Sequence, residues 1–301
     1  MNSIQTPSLL RTAGARARSA AAALAIAAIG SAAASAHAAI VLDPLMAGQY
    51  AAGTGANAVF HRIDGSWQGS TVYWNEGTQS YSNNPGPGYV QIGTQGWGTG
   101  IWGLADWAAV NAPGSSLPVQ SWSGAVSTID HGDARYRSLV ENGQYTGWGL
   151  TGALPAGLFP SGDAEQDNWT ARYTGYLRIT DAGLYNFGVL YDDGFFLRIW
   201  GEGDTLLEIS SDFLSPRDRL GFDEDLALGT GLYRFELGAY DRLEAGVVNL
   251  AWKQGDGDWQ TVPTYALVID PIAAAVPLPG TVGLLLAGFT GFAAARRKAR
   301  K

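Results

Sequence analysis

Between residues 171 and 253 the chain alternates apolar and polar residues with a period of two in five separate stretches. In Ala171–Ile179, Tyr173, Leu177 and Ile179 fall on one side and Arg172, Thr174 and Arg178 on the other. Gly183–Leu190 aligns Tyr185, Phe187 and Val189, and Phe195–Trp200 aligns Phe195, Leu197 and Ile199. Gly231–Tyr240 sets Tyr233, Phe235, Leu237 and Ala239 against Arg234 and Glu236. Gly246–Lys253 sets Val248, Leu250 and Trp252 against Asn249 and Lys253. Successive strand side chains point to opposite faces, so each stretch is a half-buried antiparallel strand. Five such strands, separated by Gly and Asp turns, require a second layer to cover their apolar faces. The expected fold is all-β: an antiparallel β-sandwich, barrel-like in the manner of a jelly roll.

Both ends of the chain have a different composition. Arg11, Arg16 and Arg18 precede an apolar run from Ser19 to Gly30, and Ala36-His37-Ala38 then offers a small-x-small cleavage site. That order is the order of a secretory signal peptide, read by signal peptidase at Ala36 and Ala38. At the other end, Val276–Ala295 is long and apolar enough to cross a bilayer as a helix, and five bases follow it. The chain therefore divides into a signal segment (1–38), a Gly/Trp-rich β region of irregular pattern (39–118), the sandwich (119–270), a linker (271–275) and a terminal membrane segment (276–301).

These terminal segments hold eight of the 19 basic residues and no acid, so the body keeps 11 bases against 27 acids. Such a surface repels nucleic acid and anionic lipid and attracts divalent cations. The chain has no cysteine, which excludes disulfides and a thiol nucleophile. About 235 residues remain between the two segments, enough for one large core or two small ones. The body has two histidines, His61 and His131, and no Gly-x-Ser-x-Gly, His-Glu-x-x-His or phosphate loop. The expectation is a protein without catalytic activity.

The region before residue 119 is the least legible. Trp97, Trp102 and Trp107 lie in GTQGWGTGIWGLADWAAV. Exposed, they could stack on sugar rings, although tryptophan is more often packed core. A short helix is expected at Gly103–Val110.

Two strands share a pattern. Gly183-Leu184-Tyr185-Asn186-Phe187 leads to Tyr191-Asp192, and Gly231-Leu232-Tyr233-Arg234-Phe235 leads to Tyr240-Asp241. If both deliver their aspartates to one edge of the fold, Asp192, Asp193 and Asp241 form an acidic cluster.

The stretch from Asn168 to Lys253 resembles the protective-antigen fourteen-kilodalton domain. The resemblance rests on Tyr-Thr-Gly, Gly-Leu-Tyr-Asn-Phe, Asp-Asp-Gly, Leu-Arg-Ile, Leu-Ala-Leu-Gly and Leu-Ala-Trp in that order. Ser121–Tyr136 is a candidate opening strand, and the stretch from Arg137 to Asp167 reads as an insertion. This chain departs from the pattern at Ile199-Trp200-Gly201, where the family often has Ile-Asp-Gly. The resemblance implies a carbohydrate-binding module. It implies calcium held by Asp192, Asp193 and Asp241, with Tyr191 and Tyr240 beside the ligand. One cation can use adjacent Asp192 and Asp193 only if the peptide between them is twisted, a cis bond being one way. Calcium suits such a site because it takes hard oxygen ligands in flexible geometry. The other reading of Asp-Asp-Gly is a turn, with Asp as cap and Gly supplying a positive φ. Asp256 and Asp258 read as a hairpin turn.

The C-terminal Pro277 and Pro279, the apolar span and the basic end resemble the PEP-CTERM sorting signal, with Val-Pro-Leu-Pro in place of Val-Pro-Glu-Pro. That resemblance implies processing by an exosortase. It also implies delivery to the envelope, surface or matrix of a Gram-negative bacterium that makes exopolysaccharide, the expected carbohydrate partner.

Overall fold

In the computed structural model of the protein, residues 39–271 are described, apart from 49, 51–52, 70–72, 79, 83–86, 92–99, 145–151, 164, 213–218 and 222–225. The expected signal helix and C-terminal membrane helix lie outside the described residues, as do Trp97 and the processing residues Ala36, Ala38, Pro277 and Pro279. Among the described residues no helix is long and apolar enough to cross a membrane.

The strands used below are β1 (Ile40–Leu42), β2 (Ala56–Ile63), β3 (Pro118–Val126), β4 (Asp130–Gly132), β5 (Trp169–Ile179), β6 (Gly183–Asp192), β7 (Gly194–Trp200), β8 (Leu206–Ser211), β9 (Leu226–Leu228), β10 (Gly231–Asp241) and β11 (Val247–Gln254). All five period-two stretches are strands; four are extended by one or two residues and the last is shifted by one. The first sheet runs β1-β9-β6-β11-β4 and ends on a short strand at Gly152–Ala153; the second runs β8-β7-β10-β5-β2-β3. The second sheet pairs antiparallel along this order. The first is mixed, because β1 lies parallel to β9 and β4 parallel to Gly152–Ala153.

The apolar faces named from the sequence meet between the sheets. Tyr185, Phe187, Val189, Val248, Leu250 and Trp252 come from the first sheet. Tyr173, Leu177, Phe195, Leu197, Phe235 and Leu237 come from the second. A fully buried leucine or phenylalanine contributes about 1.5–3 kcal/mol, so this layer holds the sandwich closed.

The boundary expected at residue 119 is corrected. β1 and β2 belong to the sandwich, since β1 pairs with β9 and β2 lies between β5 and β3. β2 turns Ala56, Ala58 and Phe60 inward. Two of these three are alanines, whose small apolar surface gives a weak periodic signal. The stretch read as an insertion also returns to the core, because Leu154 and Leu158 are buried there.

The helix expected at Gly103–Val110 is α1 (Leu104–Val110). It covers part of the outer face of the second sheet. Trp107 packs edge-on against Phe196 at 4.8 Å between ring centroids and donates from Nε1 to the Ala171 carbonyl at 3.0 Å. Trp102 and Trp107 are thus packed side chains rather than exposed platforms. Asp256 and Asp258 lie in the hairpin turn between β11 and Gln260–Thr261.

Candidate cation site

The two strands that share Gly-Leu-Tyr-x-Phe lie in opposite sheets: β6 in the first and β10 in the second. The chain crosses between the sheets at Asp192–Gly194, where β6 ends and β7 begins. Gly194 pairs with Tyr240, and the Asp193 N–H donates to the Tyr240 carbonyl at 2.7 Å. This pairing sets the crossing beside the end of β10. Each of Asp192, Asp193 and Asp241 there offers a carboxylate oxygen within 4.8 Å of the others. The Asp192–Asp193 peptide is cis.

The cluster is largely buried: the three residues are 3%, 9% and 0% exposed. Burial raises the Asp192 carboxyl, and the charge of Asp193 raises it further. Burial also raises Asp193, against which the Arg242 N–H and guanidinium act. Asp241 is pushed well up by burial, then by Asp193, Asp133 and Asp192. The Arg242 N–H donates to Asp193 Oδ2 at 2.9 Å, and its guanidinium lies 3.8 Å over the Trp102 ring. Three carboxylates beside one guanidinium leave two negative charges uncompensated when all are ionised.

Both oxygens of Asp241 are buried with no hydrogen-bond partner. Buried polar groups are nearly always satisfied, and a buried bare carboxylate costs several kcal/mol. A proton or a cation must relieve it. A divalent cation matches the charge, and the oxygen-only donor set suits calcium, which takes six to eight such ligands. Asp192, Asp193 and Asp241 would hold it. The remaining coordination positions would be left for other oxygens.

Glycines make room for this cluster. A Cβ on Gly194 would stand 2.5 Å from the Tyr240 ring, and one on Gly246 would stand 2.6 Å from Asp241 Cγ. Gly194 does not have a positive φ. The glycine of Asp-Asp-Gly therefore serves close approach and not the turn geometry considered from the sequence.

The loop between Asp241 and Gly246 is tied from behind by two acids that the sequence reading did not assign. Asp133 caps α2 (Ala134–Glu141), accepting from the Tyr136 N–H at 2.6 Å, and also accepts from the Gly246 N–H. Asp167 accepts from the Glu244 N–H at 3.0 Å. Burial raises Asp133 to about 7 and Asp167 to about 6. The Asp-x-x-Tyr start of α2 was the available signal for Asp133, as a helix cap.

Tyr191 and Tyr240, read as ligand contacts, are corrected. Tyr191 is buried, donates to Ser211 Oγ at 2.9 Å and packs on Phe195. Tyr240 is fully buried in the cluster of α1 and Phe196. Neither offers a face to a ligand. The exposed apolar group on this loop is Leu243. Of the two histidines, His131 is half-buried at the edge of the core, 3.0 Å from the Tyr173 hydroxyl, and burial lowers it to about 4. His61 contacts Ser121 Oγ at 2.7 Å on the outside of the second sheet.

No family model matches the sequence. No curated protein matches it. Among solved structures the chain is similar to an anti-sigma factor domain-containing protein from Clostridium clariflavum, at 19% identity over 73% of this chain and 49% of that one, TM-score 0.41. It is similar to a PA14 sugar-binding domain from RTX adhesin, at 14% identity over 72% of this chain and 98% of that one, TM-score 0.41. It is also similar to the epithelial adhesin 6 A domain from Candida glabrata in complex with Galb1-3GlcNAc, at 14% identity over 78% and 95%, TM-score 0.45. The chain spans about half the length of the anti-sigma factor domain-containing proteins it matches, 44% and 49%.

Proposed function

We propose that the chain is an exported, non-catalytic surface or matrix protein whose sandwich binds carbohydrate through calcium held by Asp192, Asp193 and Asp241. The observation that carries this reading is the convergence of three buried carboxylates, one of which has no hydrogen-bond donor on either oxygen. Calcium would neutralise the cluster and present open positions to paired sugar hydroxyls. Leu243 would meet the apolar side of the same sugar. The terminal segments support export and sorting by an exosortase, with the cell's own exopolysaccharide as ligand.

A structural reading competes with this one, in an envelope protein whose Asp-Asp-Gly only joins the sheets. It is favoured by one observation: Asp193 already accepts the Arg242 N–H and donates its own N–H to Tyr240. It leaves Asp241 unexplained. A glycan array probed with the full-length protein, with calcium and then with a chelator, separates the two. Calcium-dependent binding supports the lectin reading; no binding in either condition puts the structural reading ahead.

A further inference from the structure

The outer face of the second sheet is covered by α1 only toward the aspartate end. Farther along β10, away from Asp241, an open groove of about 450 Å³ remains, lined by Trp200, Arg234, Glu236, Arg172, Tyr176 and Asp270 among others. That volume lies within the range of small-ligand sites. Asp241 lies five positions beyond Glu236 on β10, about 17 Å of strand. The groove is therefore separate from the cation site.

Strand register orders its side chains in rows. Trp200, Arg234 and Tyr176 stand opposite one another across β7, β10 and β5. Arg198, Glu236, Thr174 and Asn57 form the next row. Neighbouring strands are about 4.8 Å apart, a spacing similar to the width of one sugar ring. Two aromatic side chains flanking Arg234, beside a row of donors and acceptors, match an acidic pyranose, which has apolar C–H faces and a polar edge.

The charges on this face are distributed unequally. Arg172 meets Glu236 at 2.7 Å, and Arg198 lies between Glu208 at 2.9 Å and Glu236 at 3.8 Å. Arg178 is taken up by the carbonyls of Tyr50 and Tyr265. Arg234 is exposed, lies 4.3 Å over the Trp200 ring, and has no carboxylate partner among the described residues. Four of the body's 11 basic residues are thus on one sheet face of an acid-rich protein. A guanidinium stacked on an aromatic ring is held flat and ready for a two-pronged bond to a carboxylate.

We infer that this groove is a second saccharide site, independent of calcium, that takes a uronic-acid-bearing glycan, with Arg234 on the sugar carboxylate and Trp200 and Tyr176 against its apolar face. The inference does not rest on the calcium reading, and its test is run without calcium. Tetragalacturonate is titrated calorimetrically into the full-length protein in excess chelator, with cellotetraose as the neutral counterpart. The expected result is binding of tetragalacturonate that is at least about tenfold tighter than that of cellotetraose and weakens in 0.5 M salt. Arg234→Ala, an exposed substitution, is expected to weaken it about tenfold. Arg234→Lys, which keeps the charge and loses the fork, should weaken it several-fold. Trp200→Phe should weaken it less than Arg234→Ala. Absence of tetragalacturonate binding would overturn the proposal. So would equal binding of cellotetraose, or binding that survives Arg234→Ala unchanged.

Discussion

Replacing Asp241 by asparagine keeps the shape of the side chain and removes one negative charge. Two carboxylates within 4.8 Å of each other repel by at least about 3.5 kcal/mol at an effective dielectric constant near 20. Asp241 has two such neighbours and no donor. Without a cation it avoids that repulsion by keeping its proton. An aspartate of the unfolded chain is ionised at pH 7, so holding the proton there would cost up to about 4 kcal/mol. Asparagine is neutral already and can donate to Asp192 or Asp193. Asp241→Asn should therefore stabilise the metal-free protein at pH 7 by up to about 4 kcal/mol, on the order of 10 °C in Tm for a domain of this size. The same substitution should weaken calcium binding at least tenfold, because a charged ligand is lost. Differential scanning calorimetry in chelator and in calcium reads both effects. A variant that is less stable without calcium and gains as much from calcium as the parent would refute the reasoning.

Other expectations follow from the same geometry. The raised carboxylates of Asp133, Asp167, Asp192, Asp193 and Asp241 bind more protons folded than unfolded. Metal-free stability should accordingly fall as pH rises above about 4, the ordinary carboxylate range. His131, lowered to about 4, acts in the opposite sense below about pH 6.5, so the comparison is best made between pH 6.5 and 8.5. Over that interval Tm in chelator should drop and the gain from calcium should grow. Gly246→Ala would press a Cβ on Asp241 and should destabilise by about 1–3 kcal/mol in a denaturant titration. Asp133→Ala removes both the α2 cap and the Gly246 tie; it should cost about 1–3 kcal/mol and lower calcium affinity without touching the ion.

Much of the sandwich was legible because its central strands place large apolar residues at every second position, as in Tyr233, Phe235 and Leu237. β1 and β2 were not, since β1 is three residues long and β2 faces the core with two alanines. The Asp cluster was legible through the repeated Gly-Leu-Tyr-x-Phe strands, whose ends a register argument could bring together. Its supports were not: Asp133 reaches Gly246 across 113 residues and Asp167 reaches Glu244 across 77, contacts that no local pattern encodes. Tyr191 was misread although its strand already set it on the core face with Phe187 and Val189. Tyr240 does lie on the outer face, as alternation requires, but α1 covers it there. Which part of an outer face a helix shields depends on tertiary packing and is invisible to strand periodicity.

The most direct test of the central claim is a calcium titration by isothermal calorimetry of the parent protein and of the Asp192→Ala, Asp193→Ala double variant at pH 7.5. The variant's fold should first be confirmed by its near-ultraviolet dichroism. One saturable site is expected in the parent, with protons released on binding, and no such site in the variant. No binding in the parent, or the same affinity in both proteins, would contradict it.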